Sequence, residues 1–167
     1  MTSAEKVILK AHIQATPALD AIYVDGNLVA LADALNVTAS PDYWVWRTDV
    51  TRSDIYNKPN GLPVSGAQTG FWDWTTYKNQ GVAEQNAWVQ MFMGDIANFS
   101  QLNLREGIGK IFTGSAAANA QRDHCLAIGR RLASLTEEVF ATGTGSTASP
   151  ATMSFEGQVT VADLIGL

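Results

Sequence analysis

The side chains best suited to act as a nucleophile, a general base or a soft metal ligand are two histidines and one cysteine. His124 and Cys125 are adjacent in the chain. Neighbouring side chains on a helix point about 100° apart, so this pair cannot converge on one substrate. His12 has no Asp or Glu at a ligand spacing, and the sequence contains neither a Cys/His cluster nor an Asp-x-Asp calcium loop. We therefore predict structural roles for His124 and Cys125, with no catalytic residue, no metal site and no cofactor.

Two weaker patterns for enzymatic chemistry give the same result. Gly143-Thr144-Gly145 resembles part of a phosphate-binding loop, but the Lys-Ser/Thr that should follow it is absent. Phosphate binding also needs a helix N-terminus after the loop, whereas the sequence there favours a strand. Asp73 and Glu84 could serve as the two carboxylates of a glycosidase, but so could any other two carboxylates in the chain. The chain is therefore predicted not to be an enzyme.

The composition limits the possible partners. Of 167 residues, 46% are hydrophobic and 16% are charged, whereas about 25% charged residues is usual for a soluble domain. With five Trp, this indicates either a surface covered by self-association or a tryptophan-rich core. The net charge of −5 argues against a dedicated nucleic-acid binder, because such affinity comes mostly from basic residues on phosphates.

One cluster of basic residues has two possible roles. It can be a solvated helix face, or it can contact acidic neighbours in an assembly or, weakly, DNA. Its members are Arg105, Lys110, Arg122, Arg130 and Arg131.

Localisation is predicted from what the chain lacks. Met1 to Lys10 has neither the basic nor the apolar region of a signal peptide. No apolar run approaches the roughly 20 residues that span a bilayer. With Cys125 as the only cysteine, no disulfide can form within the chain. We expect synthesis in the cytoplasm and no membrane partner.

A row of helix-start signals predicts a mainly α fold, with a helical bundle body over residues 1–141. The proposed N-caps are Thr2, Thr16, Ser40, Ser100, Ser115 and Ser134. Residues 57–70 are predicted as a long loop of unknown role. A helix is predicted after Ser40-Pro41, although the density of aromatic and β-branched residues leaves a strand over 43–50 as an alternative. The predicted core comprises Trp44, Trp88, Phe92, Leu104, Ile108, Ile111, Phe112 and Ile128.

Residues 142–167 differ in character and are predicted to form a C-terminal arm. Residues 142–150 read as a Gly/Ser/Thr linker. Apolar and polar residues then alternate over 153–161, which predicts one strand. A strand needs a partner for its backbone groups, and we expect that partner to belong to another chain. The predicted interaction residues of the arm are Met153, Phe155, Val159, Val161, Leu164, Ile165 and Leu167.

Several short stretches together resemble a known class of proteins. They are Pro41–Thr48 with Asp54–Tyr56, Ile111–Gly114, Gln121–His124, Phe140–Gly145, Pro150–Met153 and Phe155–Gly157. The resemblance, over about residues 4–165, is to small structural proteins from the head–tail gene region of tailed bacteriophages and prophages, most like a head–tail connector, or adaptor, subunit.

The resemblance implies a structural virion protein of the neck region, made in the cytoplasm of the bacterial host. Such subunits are typically helical and form a dodecameric homo-oligomeric ring that joins the portal protein to tail or neck proteins. Genome DNA passes through the ring without sequence-specific binding. The alternatives are a tail terminator or completion factor and, behind these, a small phage enzyme or a DNA-binding regulator.

Overall fold

The computed structural model describes residues 1–167, and the predicted mainly α class is confirmed. Ten helices contain about half of the residues, and the strands form three two-stranded sheets. The helices are α1 (Ser3–Ala15), α2 (Pro17–Val24), α3 (Leu28–Asn36), α4 (Arg52–Asn57), α5 (Trp74–Lys78), α6 (Val82–Met91), α7 (Leu102–Ile111), α8 (Ala116–Ile128), α9 (Leu135–Val139) and α10 (Val161–Leu164). The strands are β1 (Trp44–Trp46), β2 (Val50–Thr51), β3 (Ile96–Ala97), β4 (Arg130–Leu132), β5 (Ala141–Thr142) and β6 (Thr152–Met153).

The chain divides into two compact units. Unit 1 comprises residues 1–45 and 132–167, and unit 2 comprises residues 46–131. This division differs from the predicted boundary between a body over 1–141 and an arm over 142–167. The reason is that both ends of the chain share one hydrophobic core in unit 1.

Unit 1 packs α1, α2, α3, α9 and α10 around that core. Helix α1 begins with the predicted capping box, in which the Thr2 hydroxyl accepts from the Glu5 amide and the Glu5 carboxylate accepts from the Thr2 amide. Helix α2 starts with Pro17 at its first position, where a missing N–H costs nothing. The buried core residues are Leu9, Ile13, Leu19, Leu31, Ala32, Leu35, Phe140, Val159 and Leu164.

The predicted strand over 153–161 is wrong beyond Met153. The only strand there is β6, which pairs antiparallel with β5 of the same chain. Gly157, at φ +119°, lies outside the extended region that a ladder needs. Thr160 then forms a capping box with Asp163 and starts α10. The alternation therefore reflects a loop followed by a helix turn.

The predicted flexible linker is packed against Tyr43. The Tyr43 hydroxyl donates to the Gly143 carbonyl, and the Trp44 amide donates to the Gly145 carbonyl. A Cβ on Gly145 would lie 2.3 Å from the Tyr43 ring, and its φ of +64° also favours glycine. Glycine at position 145 thus permits a close approach to an aromatic ring.

Unit 2 contains α4 to α8 and the β2–β3 pair around an aromatic core. Trp88 lies at its centre, with ring centroids 4.9 Å from Phe92, 5.0 Å from Trp72 and 5.5 Å from Phe112. Six predicted core residues are buried: Trp88, Phe92, Ile108, Ile111, Phe112 and Ile128. Trp44 and Leu104, also predicted as core, are half-buried.

Helix starts were predicted wrongly at Ser40 and Ser100. Residues 43–50 contain β1 and the start of β2, so the strand alternative was correct. The helix in this region starts at Thr51, which forms a capping box with Asp54. Ser100 donates its hydroxyl to Asn98 instead of capping α7, which begins after Gln101. Further along the chain, Asn79–Gly81 separates α5 from α6.

Asp54 is a buried carboxylate with an unusually stable charge. Burial raises its pKa, but hydrogen bonds from Lys58 and the Thr51 amide, together with the Arg47 charge, outweigh this and lower the pKa to about 2. The Arg47 guanidinium lies 3.0 Å from the carboxylate. Asp54 therefore contributes stability in its charged form.

Replacing Asp54 with Asn should destabilise unit 2 by roughly 2 kcal/mol at neutral pH, since one pKa unit corresponds to about 1.4 kcal/mol. Because the folded pKa lies below the ordinary value of 3.8, the contribution is complete above that value and is lost as pH falls through about 2. Denaturant melts of wild type and Asp54→Asn should converge over this interval. Asp49→Asn, at a mostly exposed carboxylate, is the control and should change little. A constant difference between Asp54→Asn and wild type down to pH 2 would contradict this role.

Candidate functional site

His124 lies buried in unit 2. Its ring is buried, its Nε2 lies 2.7 Å from the Ile55 carbonyl, and its Nδ1 lies 3.0 Å from the Asn60 side-chain nitrogen. A carbonyl can only accept, so Nε2 carries the proton and Nδ1 accepts from Asn60. Burial lowers the pKa of His124, although the bond to the carbonyl opposes this. Both ring nitrogens of the neutral His124 therefore have hydrogen-bond partners within the chain.

Cys125 is also enclosed in unit 2. Burial raises the pKa of its thiol far above the ordinary range, against a smaller opposite effect of the Gln121 side chain. A thiol in this state is a poor nucleophile, because the thiolate is the reactive form.

We expect Cys125 to remain unmodified by a water-soluble thiol reagent in the folded protein and to react fully in denaturant. The reaction rate should follow the opening of unit 2, and Cys125→Ser provides the background. Rapid modification under native conditions would contradict the burial described above.

Asn60 gives the long loop over 57–70 a defined position, which sequence patterns missed. Besides its side-chain bond to His124, Asn60 donates its backbone N–H to the Gly70 carbonyl at 2.9 Å. Its side-chain oxygen accepts from the Leu62 backbone N–H. Asn60-Gly61 in a Pro/Gly-rich stretch predicts only a turn. The loop is thus held against α8 within unit 2.

The end of this loop presents an aromatic surface, defined as Phe71 and Trp74. About half of each side chain is exposed. Trp74 is held in place by rings 4.8 Å away at Tyr56 and 5.9 Å away at Tyr77. Fixed, half-exposed aromatic side chains are typical anchors of protein interfaces.

A second apolar surface lies on α6 and the turn that follows it. The α6 face is defined as Val82 and Val89, which lie roughly 20° apart around α6, together with Met93 in the turn that follows the helix. Val82 and Met93 are 75% and 72% exposed. The other side of this segment buries Trp88 and Phe92. Such a segment, apolar on two sides, is typical of one that contacts a partner.

Unit 1 has a corresponding surface of mixed character. The α3 face is defined as Val29 and Asp33, which lie four residues apart on α3, together with Val37, the extended C-cap that follows the helix. All three are exposed.

The predicted arm residues lie mostly inside unit 1. Val159 and Leu164 are buried in its core. The Asn36 side chain bonds Val159 in both directions, donating to its carbonyl at 2.8 Å and accepting from its amide at 2.9 Å. Only Val161 and Ile165 are exposed. The remaining arm residues, Met153, Phe155 and Leu167, are half-buried.

Some of the clustered basic residues make contacts within the chain. Arg105 stacks on the Trp46 ring at 4.5 Å and donates to the Phe99 carbonyl. Arg122 pairs with Asp123. Arg130 and Arg131 are half-buried in β4, and Lys110 is exposed. The arrangement favours a structural role for at least Arg105 and Arg122.

The structure contains no group of three or more His, Cys, Asp or Glu side chains arranged to hold a metal ion, and no helix long and apolar enough to cross a membrane. No protein family, curated protein or solved structure matches this chain.

Proposed function

We propose that this chain is a structural virion protein of a tailed bacteriophage, a head–tail connector subunit. It forms a ring in the neck that joins portal to tail and lets DNA pass. The observation that supports this most is the exposure of large apolar side chains on three surfaces: the aromatic surface and the α6 face of unit 2, and the α3 face of unit 1. Exposed apolar patches commonly mark protein contacts.

The remaining features agree with a ring around DNA. A net charge of −5 reduces attachment to phosphates, so a genome can slide past. Val161 and Ile165 contact a neighbouring virion protein in this proposal, whereas Val159 and Leu164 hold the C-terminal segment in unit 1. The mainly α composition favours a connector over a tail terminator, for which a larger share of strands is expected.

Quantitative mass spectrometry of purified particles from the encoding phage or prophage tests the proposal. The chain should be present in a copy number similar to that of the portal protein, with the portal and major head proteins as internal standards. Absence from particles, or a copy number near that of the major head protein, would contradict a neck position.

A further inference from the structure

The two units differ strongly in charge. Unit 1 contains nine acidic residues and two lysines, which gives a formal charge of −7. Unit 2 contains seven acidic residues and nine Lys and Arg, which gives +2. The chain total of −5 hides this separation, because unit 1 is assembled from both ends of the sequence.

Unpaired charges of opposite sign accompany the two helical faces. Asp33 lies on the α3 face, is exposed and forms no salt bridge. On unit 2, exposed Lys78 ends α5 four residues before Val82. The Gln85 side chain of α6 donates to the Lys78 carbonyl at 3.2 Å, which fixes Lys78 beside the start of α6. Lys78 forms no salt bridge either.

We propose that the α3 face of one copy packs on the α6 face of a second copy of this chain. The apolar residues Val29 and Val37 then meet Val82, Val89 and Met93, and Asp33 lies near Lys78. This inference rests on the proposed function and names the lateral contact of its ring.

Charge determines which pairing of faces is favoured. Packing α3 faces together would bring two Asp33 carboxylates and two units of charge −7 close, and packing α6 faces together would bring together two units of charge +2. Like charges at an interface are unfavourable, and opposite charges are favourable. Two different faces give a heterologous contact, and every added copy leaves one face of each kind free until the ring closes.

Mixing two variants tests this contact. Val29→Asp changes the α3 face and Val82→Asp changes the α6 face, each in the first turn of its helix, where an acidic residue suits the helix dipole. Wild type should form oligomers by light scattering after size exclusion, and each variant alone should be monomeric. An equimolar mixture should give heterodimers and nothing larger, because one intact face remains on each variant. Val7→Asp, at an exposed position on α1, is the control and should assemble as wild type does.

Charge exchange provides a second measurement. Asp33→Lys and Lys78→Glu should each weaken association by about fivefold, which is the scale of one exposed ion pair. The double variant should recover most of that loss.

Three results would overturn the inference: a monomeric wild type, a mixture that stays monomeric, or normal assembly of either single-face variant. None of them affects detection of the chain in virions. A failed mixing experiment with a positive particle assay therefore rejects this contact while the proposed function stands, and the reverse result rejects the proposed function alone.

Discussion

Removal of residues 155–167 should unfold unit 1. The truncation takes Phe155, Val159 and Leu164 out of the unit 1 core and leaves Asn36 without its two bonds to Val159. Burying one large apolar side chain contributes about 1.5–3 kcal/mol. Three such losses approach the total stability of a typical domain, about 5–15 kcal/mol.

Hydrogen exchange measures this effect by unit. Amides of α1 to α3 should lose protection in the truncated chain, and those of α7 and α8 should keep it. In the full-length chain, Leu164→Ala should cost about 2–5 kcal/mol, and Ile165→Ala, at a position 62% exposed, should cost little. A truncated chain that keeps native protection in α1 to α3 would show that the C-terminal segment is a detachable arm.

Trp88→Ala should destabilise unit 2 by about 3–5 kcal/mol, the range for losing a buried Trp or Phe. Trp88 is 0% exposed and contacts three aromatic rings. Its indole nitrogen also donates to the Tyr56 hydroxyl at 3.1 Å, so the substitution removes a hydrogen bond as well as packing.

Trp74→Ala is the matched control, because Trp74 is 49% exposed at the aromatic surface. It should cost much less in denaturant melts. Equal losses for Trp74→Ala and Trp88→Ala would contradict the packing described for unit 2. Under the proposed function, Trp74→Ala should instead weaken assembly with a neighbouring protein.

Local signals in the sequence were sufficient for several helices. Thr2 and Ser134 start α1 and α9 through capping boxes whose second member is glutamate, the pattern with the clearest physical basis. The boxes at Thr51 and Thr160 use aspartate as the second member, a weaker sequence signal that the predicted helix starts did not include. Their consequence was a wrong helix start at Ser40 and a wrong strand after Met153.

The β5–β6 pair illustrates a non-local limit. Each strand has two residues, and their register places Ala141 opposite Met153. A strand of two residues is too short to show an alternation of apolar and polar side chains. Only the fold therefore reveals that the partner of β6 lies within the same chain. An exposed helical face has the same limit: Val82, Val89 and Met93 are exposed, although their residue types do not distinguish them from buried positions.

The charge separation was hidden for a topological reason. Unit 1 combines residues 1–45 with 132–167, so its acidic excess appears only after the two segments are grouped. The total charge follows from composition, whereas its division between the units depends on the fold.

Disruption of the gene for this chain in the encoding phage or prophage tests the connector proposal most directly. After induction, electron microscopy should show DNA-filled or emptied heads and separate, complete tails, and supplying the chain from a plasmid should restore joined particles. Joined, infectious particles produced at wild-type yield in the absence of the chain would contradict the proposal.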